Sequence, residues 1–80
     1  MTKEELLKRL QEAEPKLIFD VQIDGSHFHI TAVGDLFEDL SRLQRQKLMN
    51  KIVAPYIESG EIHAVTYTLC TESEMKDNNG

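Results

Sequence analysis

Three histidines and one cysteine are the residues of this 80-residue chain best suited to bind a metal. His27 and His29 alternate along one segment, and His63 and Cys70 stand at the two ends of a later one. Neutral imidazole binds Zn, Cu, Fe and Ni, but a stable structural zinc site usually needs four ligands. No Cys-x-x-Cys or His-x-x-x-His spacing accompanies them, and a lone histidine is more often solvated or hydrogen-bonded than a ligand. The residues alone therefore indicate a partial metal site at most.

Catalysis is the least expected class of function. The chain has no paired-carboxylate arrangement, no phosphate loop and no nucleophile spaced beside a base. Cys70 has no neighbour placed to activate its thiol. A chain of this length also leaves little room for a substrate pocket. We therefore predict that the protein is not an enzyme.

A basic segment between positions 41 and 57 contains no acidic residue. Its charged residues are Arg42, Arg45, Lys47 and Lys51. Such a segment is a solvated helix face, a partner surface or a contact for nucleic acid. The net charge of −5 argues against a dedicated nucleic-acid binder. Residues 34–47 also lack the Gly-x-x-Gly loop with which KH domains clamp a nucleic-acid backbone.

The first half of the chain predicts a helix followed by a hairpin. Leucines at helical spacing after the capping residue Thr2 predict a helix that ends by Pro15. Alternation then predicts strands over residues 17–23 and 27–33, joined by a turn at Asp24-Gly25. Two sets of alternating residues are expected to face the core: Phe19, Val21 and Ile23 in the first strand, and Phe28, Ile30 and Ala32 in the second.

The second half predicts two helices, a strand and a last helix. A short turn after Asp35 precedes a longer helix, which Ser41 and Gln44 cap and Gly60 ends. Pro55 should kink this helix or bend its last turn. Its expected buried stripe is Leu43, Leu48, Met49, Ile52, Val53, Tyr56 and Ile57. Residues 62–69 predict a third strand with apolar residues on both faces, and Thr71 with Glu74 suggests a final helix.

The resulting order, α-β-β-α-α-β-α, is that of an α+β domain with a three-stranded mixed sheet and helices on one face. The crossover through two helices implies that the second and third strands run parallel. If these strands are also neighbours, their first residues lie at the same edge of the sheet. His27 and His63 would then come together although they are far apart in sequence.

Composition indicates a single small domain over residues 1–76 and a frayed tail over residues 77–80. Apolar residues make up 40% and charged residues 29%, which is ordinary for a globular protein. We find no apolar run long enough to span a membrane and no secretory start. One lone cysteine fits a reducing compartment. A cytoplasmic protein is therefore expected.

Two motifs, Gly25-Ser26-His27-Phe28 and Ile62-His63-Ala64-Val65, together resemble the BolA family. Asp24, the Ala32-Val33 pair, Phe37 and the 41–47 run fit the same pattern, so the resemblance covers about residues 3–76. It implies the element order above, in a fold similar to a type II KH domain.

The resemblance also implies a partner, a monothiol CGFS-type glutaredoxin, with a [2Fe–2S] cluster bridging the two proteins. The glutaredoxin supplies its Cys and a glutathione thiolate, and the BolA-like partner supplies His. The family's C-terminal His falls on His63 and its hairpin-region His on His27, whereas His29 is expected to be structural or solvated. The basic set Arg42, Arg45, Lys47 and Lys51 would line the partner surface. No cluster is expected in the isolated protein, and whether it forms a homodimer is left open.

Departures from the family pattern bear on the alternative function, a nucleic-acid-binding transcriptional regulator of stress, envelope or morphology genes. Asp39 replaces the Gly of Phe-x-Gly, Gln46 replaces the His of Arg-His-Arg, and Met75 lies near the usual Trp. The 42–47 segment is more similar to the bacterial branch associated with acid stress. These departures weaken the regulator hypothesis more than the adaptor hypothesis.

Overall fold

The computed structural model describes the backbone of residues 1–79 and the side chains of residues 1–76. Its elements are α1 (Lys3–Ala13), β1 (Ile18–Asp24), β2 (His27–Val33), a 3₁₀ helix (Asp35–Phe37), α2 (Arg42–Glu58), β3 (Ala64–Cys70) and α3 (Glu72–Asn79). The predicted α+β order is confirmed, with the short fourth element as a 3₁₀ helix. The frayed tail predicted for residues 77–80 overlaps the end of α3, and Gly80 lies outside the described residues.

A tight hairpin joins β1 to β2. Asp24 pairs with His27 at its end, so the loop contains only Gly25 and Ser26. Gly25 has φ of 62°, a conformation that glycine adopts without a Cβ clash. This short loop fixes the register, and with it the face on which the histidines of β2 lie.

β2 is the central strand of the sheet, whose order is β1-β2-β3. It pairs antiparallel with β1 and parallel with β3. The parallel direction predicted for the second and third strands is therefore confirmed, and the two strands are neighbours, the condition on which the meeting of His27 and His63 depends. In the parallel register, His27 lies opposite Ala64 and Val33 opposite Cys70.

The ends of α2 follow their local sequence signals. The Ser41 hydroxyl accepts the backbone N–H of Gln44, and the Gln44 side chain accepts the backbone N–H of Ser41. At the other end, Pro55 lies in the last turn and Gly60, with φ of 83°, follows the helix. This capping starts α2 at the position that the sequence predicts.

One face of the sheet is buried under the helices. The buried apolar residues are Leu6 and Leu10 of α1, Phe19 and Val21 of β1, Phe28, Ile30 and Ala32 of β2, Phe37 of the 3₁₀ helix, Met49 and Val53 of α2, and Leu17 and Ile62 of the connections. The opposite face is open to solvent, and its exposed polar residues include Asp20, Gln22, His27, Thr66 and Thr68.

Three residues predicted to be buried are instead exposed. Leu43 is 60% exposed and Ile57 is 44% exposed, because they lie near the two ends of α2, where less of the fold covers the helix. Ile23 is 41% exposed at the hairpin end of β1. The predicted stripe of α2 thus narrows to Met49 and Val53 in the core, with Leu48, Ile52 and Tyr56 partly buried beside them.

Candidate metal centre at the rim of the sheet

His27 and His63 lie at the same rim of the sheet. His27 is the first residue of β2 and pairs with Ala64, the first residue of β3, and His63 directly precedes Ala64. Both histidines are exposed. The parallel register thus brings together two positions that are 36 residues apart in sequence, and leaves both imidazoles accessible to a second molecule.

A chain of hydrogen bonds on the open face holds two of the three imidazoles. The Thr66 hydroxyl lies 3.0 Å from His27 Nε2 and 2.6 Å from His29 Nδ1. The other ring nitrogen of His29, Nε2, lies 2.9 Å from the Thr68 hydroxyl. His29 therefore uses both nitrogens within the sheet, which fits the structural one of the two roles expected for it. The contact of His27 occupies only Nε2.

Sequence reasoning missed Thr66 and Thr68. They alternate along β3 on the same face as His27 and His29, so the period of two is the signal that identifies them. The apolar residues on both faces of the segment obscured that period. A hollow of about 360 Å³ lies beside this cluster, lined by Gln22, Ile23, Asp24, His27, His29 and Thr66.

The structure contradicts the prediction that Arg45 lines an exposed partner surface. Its side chain is buried, with 7% of the residue exposed. The guanidinium donates to the carbonyl oxygens of Leu40 at 3.1 Å and Leu69 at 3.2 Å, and to the Glu74 carboxylate at 2.7 Å. It also lies 5.6 Å from the centre of the Phe37 ring. Arg45 thus joins α2 to β3 and α3.

Arg42, Lys47 and Lys51 are exposed, as the partner-surface hypothesis requires. Arg42, at the start of α2, does not lie at the histidine rim, however. Contact between Arg45 and Leu69 places the start of α2 beside the far end of β3. At about 3.3 Å per residue, Leu69 lies about 16 Å along the strand from Ala64. A partner that contacts both Arg42 and His63 must therefore extend along the length of β3.

Glu74 is the acidic partner that Arg45 lacks within its own helix. The hydrogen bond from Arg45, followed by the bond from the Thr71 backbone N–H, lowers the pKa of the Glu74 carboxyl below its ordinary value of 4.5. The Thr71 hydroxyl in turn accepts the backbone N–H of Glu74. This reciprocal cap begins α3, the final helix that Thr71 and Glu74 suggest in the sequence, and it fixes the carboxylate against Arg45.

Cys70 lies at the opposite end of β3 from the histidines, as expected. Its register partner is Val33, and only 5% of the residue is exposed. Burial, with a smaller effect of the Glu74 charge, raises the pKa of the thiol, although Arg45 opposes the shift. A thiol that stays protonated at neutral pH is a poor nucleophile and a poor metal ligand.

The donor set at the rim is incomplete for a metal site contained within one chain. Among the described residues, no group of three or more His, Cys, Asp or Glu side chains is arranged to hold a metal ion. Two exposed imidazoles do fit a site completed by another molecule, since two histidines can replace two cysteines on one iron of a [2Fe–2S] centre.

Comparison with known proteins identifies the family. A family model described as BolA-like protein matches residues 9–74, most of the chain. The chain belongs to the BolA-like family. The resemblance seen in the two histidine motifs is confirmed, and the match indicates no catalytic family. No helix within the described part of this BolA-like chain is long and apolar enough to cross a membrane.

Relatives and solved structures agree with the family. The BolA-like chain is similar to acid stress protein IbaG of Escherichia coli strain K12, with 41% identity over 51 residues, which cover 64% of this chain and 61% of that protein. Its fold is similar to the solution structure of yeast Fra2, with a TM-score of 0.76 and 31% identity over 94% of this chain and 84% of that one. A BolA homologue from Coxiella burnetii has a TM-score of 0.81 at 21% identity, covering 95% and 97% of the two chains.

Proposed function

We propose that this protein is a non-enzymatic iron–sulfur adaptor that pairs with a monothiol, CGFS-type glutaredoxin. His63 and His27 donate imidazole nitrogens to a [2Fe–2S] cluster, and the glutaredoxin cysteine and glutathione supply thiolates. The observation that carries the proposal is the parallel register of β2 and β3, with exposed histidines at one rim. Family membership supports it, because pairing with a glutaredoxin is what the BolA resemblance implies.

Histidine ligation gives such an adaptor a chemical role. Replacing cysteine by histidine on one iron raises the reduction potential of a [2Fe–2S] centre and alters its lability. Two exposed imidazoles at one rim of the sheet would supply these nitrogen donors. The cluster would be held between two proteins and passed on, as cargo in trafficking or as a signal in the regulation of iron or stress responses.

The test is reconstitution with the monothiol glutaredoxin of the same organism, glutathione, iron and sulfide. We expect His63→Ala and His27→Ala each to change the visible absorption and circular dichroism of the complex and to speed cluster loss to a chelator. Thr31→Ala is the control, because Thr31 lies on the same face and does not line the hollow beside His27. Thermal unfolding checks that each variant is folded. A complex that keeps its spectrum and cluster lifetime in both histidine variants would refute the ligand roles.

DNA binding, the alternative function, has less support. Of the four basic residues that favoured it, Arg45 is buried and paired with Glu74. The exposed set falls to Arg42, Lys47 and Lys51 on a chain of net charge −5. Phosphate contacts make affinity fall steeply with salt. Weak binding to duplex DNA that does not respond to salt would therefore dismiss this function.

A further inference from the structure

His27 has one ring nitrogen engaged and one free of contacts. Nε2 lies 3.0 Å from the Thr66 hydroxyl, and no hydrogen bond reaches Nδ1 from any described residue. A neutral imidazole carries its proton on one nitrogen and a lone pair on the other, and only the lone pair can bind a metal. The position of this single proton therefore decides which nitrogen of His27 can be a ligand.

The Thr66 hydroxyl constrains that proton. It has one hydrogen to donate and two ring nitrogens within reach, His27 Nε2 and His29 Nδ1. At least one of the two rings must therefore donate its N–H to the Thr66 oxygen. Thr66 couples the two imidazoles, although they make no direct hydrogen bond to each other within the described residues.

One arrangement of protons leaves Nδ1 of His27 able to bind a metal. The proton of His27 then lies on Nε2, which donates to the Thr66 hydroxyl over 3.0 Å, and that hydroxyl donates to His29 Nδ1 over 2.6 Å. His29 carries its proton on Nε2, which donates to the Thr68 hydroxyl over 2.9 Å. In this arrangement each of the three contacts has one donor and one acceptor.

We propose that Nδ1 is the iron-binding nitrogen of His27 and that Thr66 and His29 are positioning residues that keep it so. His27 Nε2–H donates to Thr66, Thr66 donates to His29, and His29 donates to Thr68. The chain of bonds fixes the tautomer and orientation of the His27 ring before any cluster arrives. This inference rests on the proposed ligand role of His27, but the arrangement of protons exists in the isolated protein and is measured there.

Metal-bound histidine is commonly anchored in this way through its second nitrogen, and loss of the anchor costs about 10-fold to 100-fold in metal affinity. His29 cannot substitute for His27, because both of its nitrogens are occupied by threonine hydroxyls. This arrangement explains why a strand with two histidines on one face offers one ligand.

The first experiment measures the tautomers in the isolated protein by long-range ¹H–¹⁵N correlation of the histidine rings. We expect His27 and His29 both to carry their protons on Nε2. In Thr66→Val, which keeps the shape of the side chain but removes the hydroxyl, the ¹⁵N shifts of both rings should change, and Thr66→Ser should restore them. Wild-type His27 protonated on Nδ1, or ring shifts unaffected by Thr66→Val, would overturn the proposal.

The second experiment measures cluster loss to a chelator from the glutaredoxin complex. We expect loss to be about 10-fold faster in Thr66→Val than in wild type and near normal in Thr66→Ser. Thr31→Val is the matched control, because Thr31 lies on the same face and makes no side-chain hydrogen bond to a described residue. If His27→Ala has no effect, the ligand role itself fails. If His27→Ala speeds cluster loss and Thr66→Val does not, only the anchoring role is overturned.

Discussion

Among single residues, Arg45 departs most from its expected role. A basic residue in a segment without acids usually faces solvent, but this guanidinium finds two carbonyl oxygens and one carboxylate inside the fold. Two of these partners, Leu69 and Glu74, lie 24 and 29 residues farther along the chain. No local pattern around position 45 indicates such distant acceptors, so the sequence could not separate Arg45 from its exposed neighbours.

We expect Arg45→Ala to lower the free energy of unfolding by about 2–3 kcal/mol, because the partly buried carbonyl oxygens of Leu40 and Leu69 lose their donor and packed side-chain carbons are removed. Arg42→Ala, on the same turn but exposed, should change it by less than about 0.5 kcal/mol. Urea unfolding followed by circular dichroism measures both. Equal effects in the two variants would contradict the structural role of Arg45.

Helices and strands were predictable from the sequence where the contacts that determine them join residues close together in the chain. The start of α2 was predictable because Ser41 and Gln44 satisfy each other's backbone groups within four residues. The turn at Gly25 was predictable because it also depends on neighbouring residues only, a loop of Gly25 and Ser26 between paired strands. The sequence did not predict which residues of β3 face the core. Thr66, Tyr67 and Thr68 alternate, but only the pairing with β2 and the contact of Tyr67 with α2 show which face each side chain occupies.

Removing the N-terminal cap of α2 should lower the stability of the protein. We expect Ser41→Ala to destabilise the protein by about 1 kcal/mol, because the Gln44 N–H loses its acceptor. Ser41→Asp keeps a side-chain oxygen at the cap and should stay within about 0.5 kcal/mol of wild type. Equilibrium urea unfolding separates the two. A wild-type midpoint for Ser41→Ala would show that the cap adds nothing to stability.

The whole molecule is organised by one parallel strand pair. The crossover through α2 returns the chain beside β2, so that His63 arrives next to the partner of His27. The parallel direction was predictable from element order, because a crossover through helices joins parallel strands, whereas their adjacency was only a condition of the sequence prediction. The hydrogen bonds that link His27, Thr66 and His29, and the contacts of Arg45 with Leu69 and Glu74, depend on the exact register of the strands. Only the structure supplies that register.

The ion pair between Arg45 of α2 and Glu74 of α3 should make the stability of the whole protein depend on pH. Its pKa is lower in the folded protein than the ordinary value of 4.5, so the unfolded chain binds the proton more tightly. Glu74 therefore contributes stability above pH 4.5, and that contribution is lost as pH falls through its lower folded-state pKa. We expect the stability difference between wild type and Glu74→Gln to be constant near neutral pH and to shrink below pH 4.5.

Urea unfolding of both proteins between about pH 3 and pH 7 measures this difference, and the other carboxyl groups contribute equally to each protein. Glu72→Gln, on the same helix but without a bond to Arg45 among the described residues, is the control and should show no such decline with acid. If the free energies of unfolding of wild type and Glu74→Gln differ as much at pH 3 as at pH 7, the charge of Glu74 does not stabilise its contact with Arg45. The carbonyl of Leu69 and the ring of Phe37 would then be sufficient to hold Arg45 in place.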